Sequence, residues 1–261
     1  MLEEIKKENR LYLSCGKMLD LGIKNCFTSK LGGKSHGKIE GLNLGFRVGD
    51  RKEDVLENYK LVCSDFGFDF SAMVASRQSH TDNIRVVTKK DCGKGISAES
   101  DIFGTDGLVC AEKNIPLIVY SADCFGVLLA EKNKKAIAAV HSGWRGTEKK
   151  IAAKAAEIMK ADFSSKPENI IAAVGPGIDF CCFEVEWDTA CRFDKKYVFE
   201  KGGGKFRVNL PAVIKDDLMN CGIKEENIFF SERCTVCEND IFYSYRSHKD
   251  ATGRMGAIIS L

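Results

Sequence analysis

The sequence predicts an α/β protein in which mixed β-sheets are flanked by helices, forming a single domain over residues 1–261. Three observations predict this class. Short hydrophobic runs follow one another closely in the middle of the chain, and helical spacings of apolar residues occur on both sides of them. Strands and helices alternate only partly, which argues against a simple doubly wound fold. With 261 residues, 44% of them hydrophobic, the chain is able to bury a large core.

The first third of the chain is predicted to contain strand and loop, then one helix, then two short strands. Residues 22–49 are rich in glycine and short polar residues, as in loops between strands. Residues 50–66 have acidic residues in the first turn and a helical spacing of apolar residues. Residues 72–88 contain two β-branched runs, which place His80 in or beside the connection between two strands.

The remaining elements are predicted from hydrophobic runs and helical periodicity. Four closely spaced runs predict buried strands at residues 107–110, 116–120, 126–130 and 136–140. An alanine-rich segment predicts a helix over 147–159, with Thr147 as a possible cap and the helix N-terminus facing His141. Further strands are expected at 170–174, near Ile228 and at 257–261, and further helices at 185–193 and 210–219.

Charge and cysteine usage narrow the class of protein. Lysine and arginine number 39 against 37 acidic residues, so the net charge of +2 provides no electrostatic reason to expect a nucleic-acid or membrane partner. We therefore expect a small-molecule substrate. Twelve cysteines are scattered through a large chain whose first residues are charged, and no apolar run approaches the roughly 20 residues of a transmembrane helix. These features predict a soluble, cytoplasmic protein with reduced thiols; they leave its oligomeric state open.

Three residues near the ends of predicted strands are candidates for chemistry. Cys124 ends the run Ser-Ala-Asp-Cys, His141 lies in Val140-His-Ser-Gly-Trp-Arg-Gly146, and His80 ends Ser-Arg-Gln-Ser-His. A cysteine and histidines that neighbouring strand ends bring together either share a metal ion or form a nucleophile and its base. As ligands, one thiolate and two imidazoles favour zinc and leave a fourth position open, as in catalytic zinc sites.

Five blocks of sequence resemble one bacterial family over almost the whole chain. The central block, Ala122-Asp-Cys124 followed by Val140-His-Ser-Gly-Trp-Arg-Gly146, is highly specific. The other four are Asn43-Leu-Gly with Val48-Gly-Asp50, Arg77-Gln-Ser-His80, Gly175-Pro-Gly-Ile with Cys182-Phe-Glu-Val, and Cys234-Thr with Phe242-Tyr-Ser-Tyr-Arg246 and Thr252-Gly-Arg254. Together they resemble the YfiH-type family, also called the laccase-domain or polyphenol oxidase family and, more recently, the zinc-dependent purine nucleoside phosphorylases.

The resemblance implies a metal ion bound by His80, Cys124 and His141. It also implies phosphorolysis of purine nucleosides (adenosine, inosine, guanosine and S-methyl-5′-thioadenosine), with phosphate as co-substrate, together with deamination of adenosine to inosine. Phosphorolysis requires a site that holds an anion and stabilises a departing purine. Deamination requires activation of water by zinc and a nearby group that moves protons.

Residue type and position suggest which other side chains serve these reactions. Asp123 is the candidate for moving protons, and the alternative is that it orients a metal ligand. Arginine recognises phosphate well, and amide side chains hydrogen-bond bases and ribose. The candidates for phosphate are Arg47, Arg145 and Arg246, and those for the base or ribose are Asn43 and Gln78. For Arg145 the alternative is that it only braces the turn beside Trp144.

Two other functions are weighed against this one. A copper-dependent polyphenol oxidase with a coupled multicopper centre ordinarily needs many histidines, and the chain has four, although a Cys-His-His site also accepts copper. A metal-free thiol hydrolase or deamidase would use Cys124 as nucleophile and His141 as base.

The remaining cysteines are assigned no chemistry. Cys234 and Cys237 have the spacing of half a zinc site, but the sequence shows no second pair with that spacing, which favours a packing role. Cys181 and Cys182 are expected to pack near the site. The His-x-Glu and Pro-Cys-x-x-Cys motifs of cytidine-type deaminases are absent.

Overall fold

Two six-stranded β-sheets packed face to face form the centre of the computed structural model, which describes residues 1–261. The strands are β1 Glu3–Lys7, β2 Arg10–Ser14, β3 Lys24–Thr28, β4 Val74–Ala75, β5 Ile84–Val86, β6 Gly107–Cys110, β7 Leu117–Ser121, β8 Phe125–Glu131, β9 Ile137–Ser142, β10 Ile170–Val174, β11 Glu184–Val185, β12 Val198–Gly202, β13 Lys205–Val208, β14 Ile228–Phe230 and β15 Met255–Ser260. The helices are α1 Gly16–Asp20, α2 Lys52–Phe66, α3 Trp144–Glu148, α4 Ile151–Phe163, α5 Trp187–Ala190, α6 Leu210–Asn220 and α7 Tyr245–His248.

Both large sheets are mixed. The first has the strand order β1-β2-β3-β15-β7-β4, and only the β4–β7 pair is parallel. The second has the order β14-β10-β8-β9-β6-β5, with an antiparallel centre and a parallel pair at each edge. A small third sheet has the order β11-β13-β12. The predicted class of mixed sheets flanked by helices is confirmed.

Helices cover the outer faces of the two large sheets. The apolar stripe of α2, which includes Val55 and Tyr59, packs with Ile118 and Ile258 on the first sheet. The stripes of α4 and α6 pack on the second sheet, where Ile151 is fully buried. Since each sheet has one face against the other sheet and one against a helix, both faces of its central strands are apolar. None of the helices is long and apolar enough to cross a membrane.

Several predicted elements are confirmed within one or two residues. The helices predicted at 50–66 and 210–219 are α2 and α6, and the strands predicted at 107–110 and 170–174 are β6 and β10. The run predicted at 116–120 is strand β7, but it lies in the first sheet, whereas its three neighbours in sequence lie in the second. Hydrophobic runs therefore located the strands without assigning them to sheets.

The prediction of one helix over 147–159 is wrong in its start. Helix α3 begins earlier, at Trp144, and Lys150 adopts a left-handed conformation with φ of 60°, so α4 starts anew at Ile151. Thr147 caps neither helix: its hydroxyl lies 2.8 Å from the hydroxyl of Ser142 and ties α3 to the end of β9. The helix N-terminus that faces the His141 turn is consequently that of α3, capped by Gly143.

The prediction of a helix over 185–193 is also wrong. Val185 pairs with Phe206 in the small sheet, and only Trp187–Ala190 is helical. Strand pairing between segments distant in sequence overrides local helical spacing here. Strands β1, β2, β12 and β13 were not predicted.

Candidate metal centre and substrate cavity

His80, Cys124 and His141 come together at one end of the second sheet. Cys124 directly precedes β8, and His141 lies in β9 opposite Gly126 of β8. His80 lies in the connection that leads into β5, at the same end of the sheet. The order β8-β9-β6-β5 therefore brings side chains from three separate segments to one place.

The three side chains form a group able to hold a metal ion. Their nearest donor atoms all lie within 4.8 Å of one another, and Sγ of Cys124 is 3.9 Å from Nε2 of His80. Zinc bonds of about 2.3 Å to sulphur and about 2.0 Å to nitrogen place such atoms about 3.5 Å apart in a tetrahedron. The donor set and its spacing thus fit a four-coordinate ion with one position left for another ligand.

Asp106, which sequence reasoning missed, holds His141 and the backbone of His80 in position through hydrogen bonds. It directly precedes β6 and is fully buried. Its Oδ1 atom lies 2.8 Å from Nδ1 of His141, which leaves Nε2 of that ring for a metal. The same carboxylate accepts hydrogen bonds from the backbone N–H groups of Ser79, His80 and Thr81. A carboxylate at the end of a buried strand was the available signal, but the surrounding stretch was interpreted only as a turn.

Gly143 permits the close approach of the segments that carry the group. A Cβ atom at this position would lie 2.9 Å from Sγ of Cys124 and 3.2 Å from Cδ2 of His80. Both distances are shorter than ordinary van der Waals contacts, so a side chain here would displace two of the candidate ligands. Glycine is therefore required by space rather than by backbone angle, because φ is an ordinary −73°.

The electrostatics of the group favour a thiolate. Burial raises the pKa of Cys124, but the neighbouring His141 and His80 lower it by more than burial raises it. The net result is a pKa of about 6. Burial lowers the pKa of His141, whereas Cys124 and Asp106 raise it, to about 9. At a pH between these two pKa values, the protein without metal holds Cys124 as a thiolate beside His141 as an imidazolium. A metal cation would take the place of the imidazolium proton that faces the thiolate.

A cavity of about 1130 Å³ opens above the group. His80, Cys124 and His141 line one part of it, and aromatic side chains line much of the remainder, namely Phe46, Phe103, Tyr120, Trp144, Phe183 and Tyr245. The charged residues of the lining are predominantly basic: Arg47, Lys52, Arg77, Arg246 and Arg254 against Glu99 and Asp123. Flat apolar surfaces and a cationic wall suit a ligand with an aromatic ring and an anionic group.

Sequence and structure comparisons place the chain in a known family. The family model described as "Multi-copper polyphenol oxidoreductase laccase" matches residues 24–261. The chain belongs to this laccase family. The resemblance predicted from the motifs is therefore confirmed.

Named relatives span nearly the whole chain. The chain is 30% identical to purine nucleoside phosphorylase YlmD of Geobacillus stearothermophilus, over 99% of this chain and 97% of the relative. It is 34% identical to purine nucleoside phosphorylase YfiH of Shigella flexneri, over 93% and 96%. The crystal structure of YlmD from Geobacillus stearothermophilus has a TM-score of 0.91, with 29% identity and coverage of 98% and 97%. A protein named adenosine deaminase RL5, from an unknown prokaryotic organism, is 31% identical over 82% of this chain and 84% of the relative.

Within this laccase-family cavity, the arginines predicted to bind phosphate occupy different positions. Arg47 is exposed, lines the cavity and makes no hydrogen bond or salt bridge with the protein. Arg246 also lines the cavity, but its guanidinium donates to the carbonyl oxygens of Cys182 and Glu184. Arg145 lies outside the cavity lining, where its guanidinium stacks 4.2 Å from the Trp144 ring. The structure therefore favours the alternative in which Arg145 braces the turn.

The amide residues predicted to bind the base or ribose are both engaged by the protein. Asn43 is fully buried outside the cavity lining, and it bonds Gly45, Asp50 and the backbone of Arg254. The structure thus places its side chain within the loop framework, outside the cavity lining. Gln78 lines the cavity, but its amide exchanges two hydrogen bonds with the backbone of Tyr120.

Asp123 lines the cavity with its carboxylate already bonded on both oxygens. Oδ1 accepts a hydrogen bond from the Thr235 hydroxyl at 2.7 Å, and Oδ2 accepts one from the backbone N–H of Arg246 at 2.6 Å. Its backbone has a φ of 92°, which is rare for a residue with a side chain. These contacts favour the alternative in which Asp123 positions Cys124 and the loop of Arg246.

Proposed function

We propose that the protein is a zinc-dependent purine nucleoside phosphorylase that also deaminates adenosine. The observation that carries the proposal is the group of His80, Cys124 and His141 at the base of an aromatic and cationic cavity. Relatives of similar length carry the names purine nucleoside phosphorylase and adenosine deaminase. The substrates are small molecules: a purine nucleoside and phosphate.

Zinc is the metal that the donor set supports best. A coupled multicopper centre needs more histidines than the two in this group. A single blue-copper site also uses two histidines and one cysteine, usually with an axial methionine, but no methionine lines this cavity. Two imidazoles, one thiolate and access to a cavity are typical of catalytic zinc.

A zinc ion bound here supplies Lewis-acid chemistry next to the substrate. The side chains of the cavity supply the rest. In phosphorolysis an oxygen of phosphate forms a bond to C1′ of the sugar, and the purine leaves with the electron pair of the glycosidic bond and gains a proton. In deamination water adds at C6 of adenine and ammonia leaves.

The positions of the cavity side chains support the following roles in binding. Arg47 has no protein partner, so its guanidinium is available to phosphate, and Arg77, whose guanidinium only stacks on Phe103, is a second cation for the same role. Phe46 and Tyr245 offer ring faces to the purine. Asp106 holds the His141 ring in the tautomer that presents Nε2 to the metal.

Chromatography of the products formed from adenosine, with and without phosphate, tests the proposal. We expect adenine and a sugar phosphate only when phosphate is present, and inosine without it. His141→Asn should abolish both reactions, whereas His36→Asn, which alters an exposed histidine in a surface turn, should abolish neither. Absence of both free base and inosine with the zinc-loaded protein would refute the proposal.

One observation favours a second candidate. The pKa of about 6 makes Cys124 a thiolate at neutral pH even without metal, as in a thiol hydrolase or deamidase. Such an enzyme would keep its activity after removal of metal and lose it on alkylation of Cys124.

A further inference from the structure

A second group of four cysteines lies outside the metal centre described above. Cys181, Cys182, Cys234 and Cys237 have their Sγ atoms all within 4.8 Å of one another. The expectation of a packing role for Cys234 and Cys237 depended on the lack of a second pair in the sequence. The structure provides that pair, because Cys181 and Cys182 face Cys237 at 3.6 Å and 3.5 Å.

The backbone holds the two cysteine segments against each other. Gly177 and Cys234 form a parallel β-bridge, and the N–H of Thr235 donates to the carbonyl of Gly177 at 3.0 Å. On the other side, Asp179 closes a tight turn, since its carbonyl accepts the N–H of Cys182 at 2.9 Å. All four cysteines are free thiols in this arrangement. Convergence of the four thiols thus follows from backbone pairing and requires no disulfide.

We propose that these four cysteines bind a zinc ion in a closed tetrahedral site. Zinc–sulphur bonds of about 2.3 Å place the sulphur atoms of such a site about 3.8 Å apart. Two Sγ separations here, 3.5 Å and 3.6 Å, and the upper limit of 4.8 Å for the whole group surround that value. An iron–sulphur cluster of several irons would hold its cysteines further apart. With four protein ligands no position remains for substrate, so the role is structural.

The surroundings of the thiols fit this assignment. Backbone N–H groups of Cys237, Asp179 and Val236 point to the sulphur of Cys234, as expected for a thiolate whose orientation is held by its surroundings. A divalent cation bound by the four thiols would displace their protons.

The site would hold one wall of the substrate cavity in place. The Thr235 hydroxyl, next to Cys234, donates to Asp123, and the carbonyl of Cys182 accepts a hydrogen bond from the Arg246 guanidinium at 3.1 Å. Arg246 in turn donates its backbone N–H to Asp123. A metal joining the two cysteine segments therefore braces two residues that line the cavity beside Cys124.

Zinc content of a variant that lacks the first centre tests the proposal independently of the proposed function. The parent is the full chain with His80→Ala and His141→Ala, purified under reducing conditions without added metal. We expect it to retain about one zinc per chain. Adding Cys237→Ser should remove that zinc, whereas adding Cys191→Ser, which alters an exposed cysteine outside the group, should not. No zinc in the parent, or zinc that survives Cys237→Ser, would overturn the proposal.

Cobalt substitution provides a second measurement, one that leaves all four cysteines of the proposed site unaltered. Four thiolates around cobalt produce sulphur-to-metal charge-transfer absorption several times as strong as one thiolate does. We expect that absorption to persist in Cys124→Ser, which removes the only thiolate of the first centre. Loss of all such absorption in Cys124→Ser, a disulfide among the four cysteines, or iron in the site would each overturn the zinc assignment.

Discussion

Nδ1 of His141 lies 2.8 Å from Oδ1 of Asp106, and both side chains are buried. The contact keeps a proton on Nδ1, and it leaves Nε2 as the ring nitrogen available to a metal beside Cys124 and His80. The same carboxylate accepts the backbone N–H of His80 at 3.0 Å. One buried aspartate therefore orients two of the three candidate ligands, in the way that outer carboxylates orient metal-bound histidines.

Asp106→Asn should weaken zinc binding by about 10- to 100-fold, the usual effect of losing such a partner. Whichever way the amide is turned, its NH2 group faces backbone N–H donors that the carboxylate accepted, and the negative charge beside His141 is lost. The measurement is zinc affinity by competition with a chelator. Asp101→Asn, at an exposed position in the same stretch, is the control, and equal affinity in the two variants would contradict the role of Asp106.

Bound zinc should protect the Cys124 thiol from alkylation. In the metal-free protein its pKa of about 6 means that the thiolate, and with it the rate of alkylation, falls as pH decreases through about 6. His141→Asn should move this midpoint upward, because His141 is the main group that lowers the pKa. Alkylation of the Cys124 peptide is followed by mass spectrometry. Zinc should suppress it, and unchanged labelling with zinc bound would count against ligation by Cys124.

Arg47→Met should raise the KM for phosphate about 10-fold or more. The guanidinium has no partner in the protein, and loss of one charge-assisted hydrogen bond costs about 1.5–3 kcal/mol. The KM for the nucleoside should change little. Arg145→Met is the matched control, since Arg145 stacks on Trp144 outside the cavity. A larger effect at Arg145 than at Arg47 would reverse the assignment.

A buried ion pair away from the cavity should make stability depend on pH. Asp65 accepts hydrogen bonds from Arg10 at 2.7 Å and from the Tyr12 hydroxyl at 2.6 Å. Burial raises the pKa of Asp65, but these two partners lower it below its ordinary value. The stabilisation is therefore present above about pH 4 and is lost as pH falls through the lowered pKa.

Asp65→Asn should lower the free energy of unfolding by about 3 kcal/mol near neutral pH, because it leaves the buried Arg10 paired only with the exposed Glu8. The deficit should shrink below about pH 4. Denaturant unfolding at several pH values measures both effects. Glu57→Gln removes an exposed salt bridge on the same helix and should change stability by less than about 0.5 kcal/mol. A deficit that does not vary with pH would show that Asp65 is not the titrating group.

The sequence was sufficient to predict the elements and the metal-ligand candidates that depend on a local pattern of residues. The apolar stripe of α2 and the continuous apolar runs of β6 and β10 indicate burial directly, so those elements were located well. Cys124, His80 and His141 were recognised because each adjoins such a run within a specific motif. The break between α3 and α4 was missed, because it results from the left-handed backbone at Lys150, which no apolar spacing reveals.

Contacts between distant segments were beyond prediction from sequence. The strand at Val185 depends on pairing with Phe206, and the role of Asp106 depends on its distance from His141. Likewise, Cys182 and Cys237 have no shared spacing motif and meet only through the bridge between Gly177 and Cys234. Arg145 and Asn43 were chosen as candidate ligand-binding residues by residue type and motif. Neither criterion indicates whether a side chain reaches the cavity.

Removal and restoration of metal tests the central claim most directly. The protein is stripped with a chelator, assayed with adenosine and phosphate, and assayed again after addition of two equivalents of zinc or of copper, enough to fill both metal-binding groups. We predict that release of adenine disappears on stripping and returns with zinc but not with copper. Full activity in the stripped protein, together with its loss on alkylation of Cys124, would contradict the metal centre and establish a thiol enzyme instead.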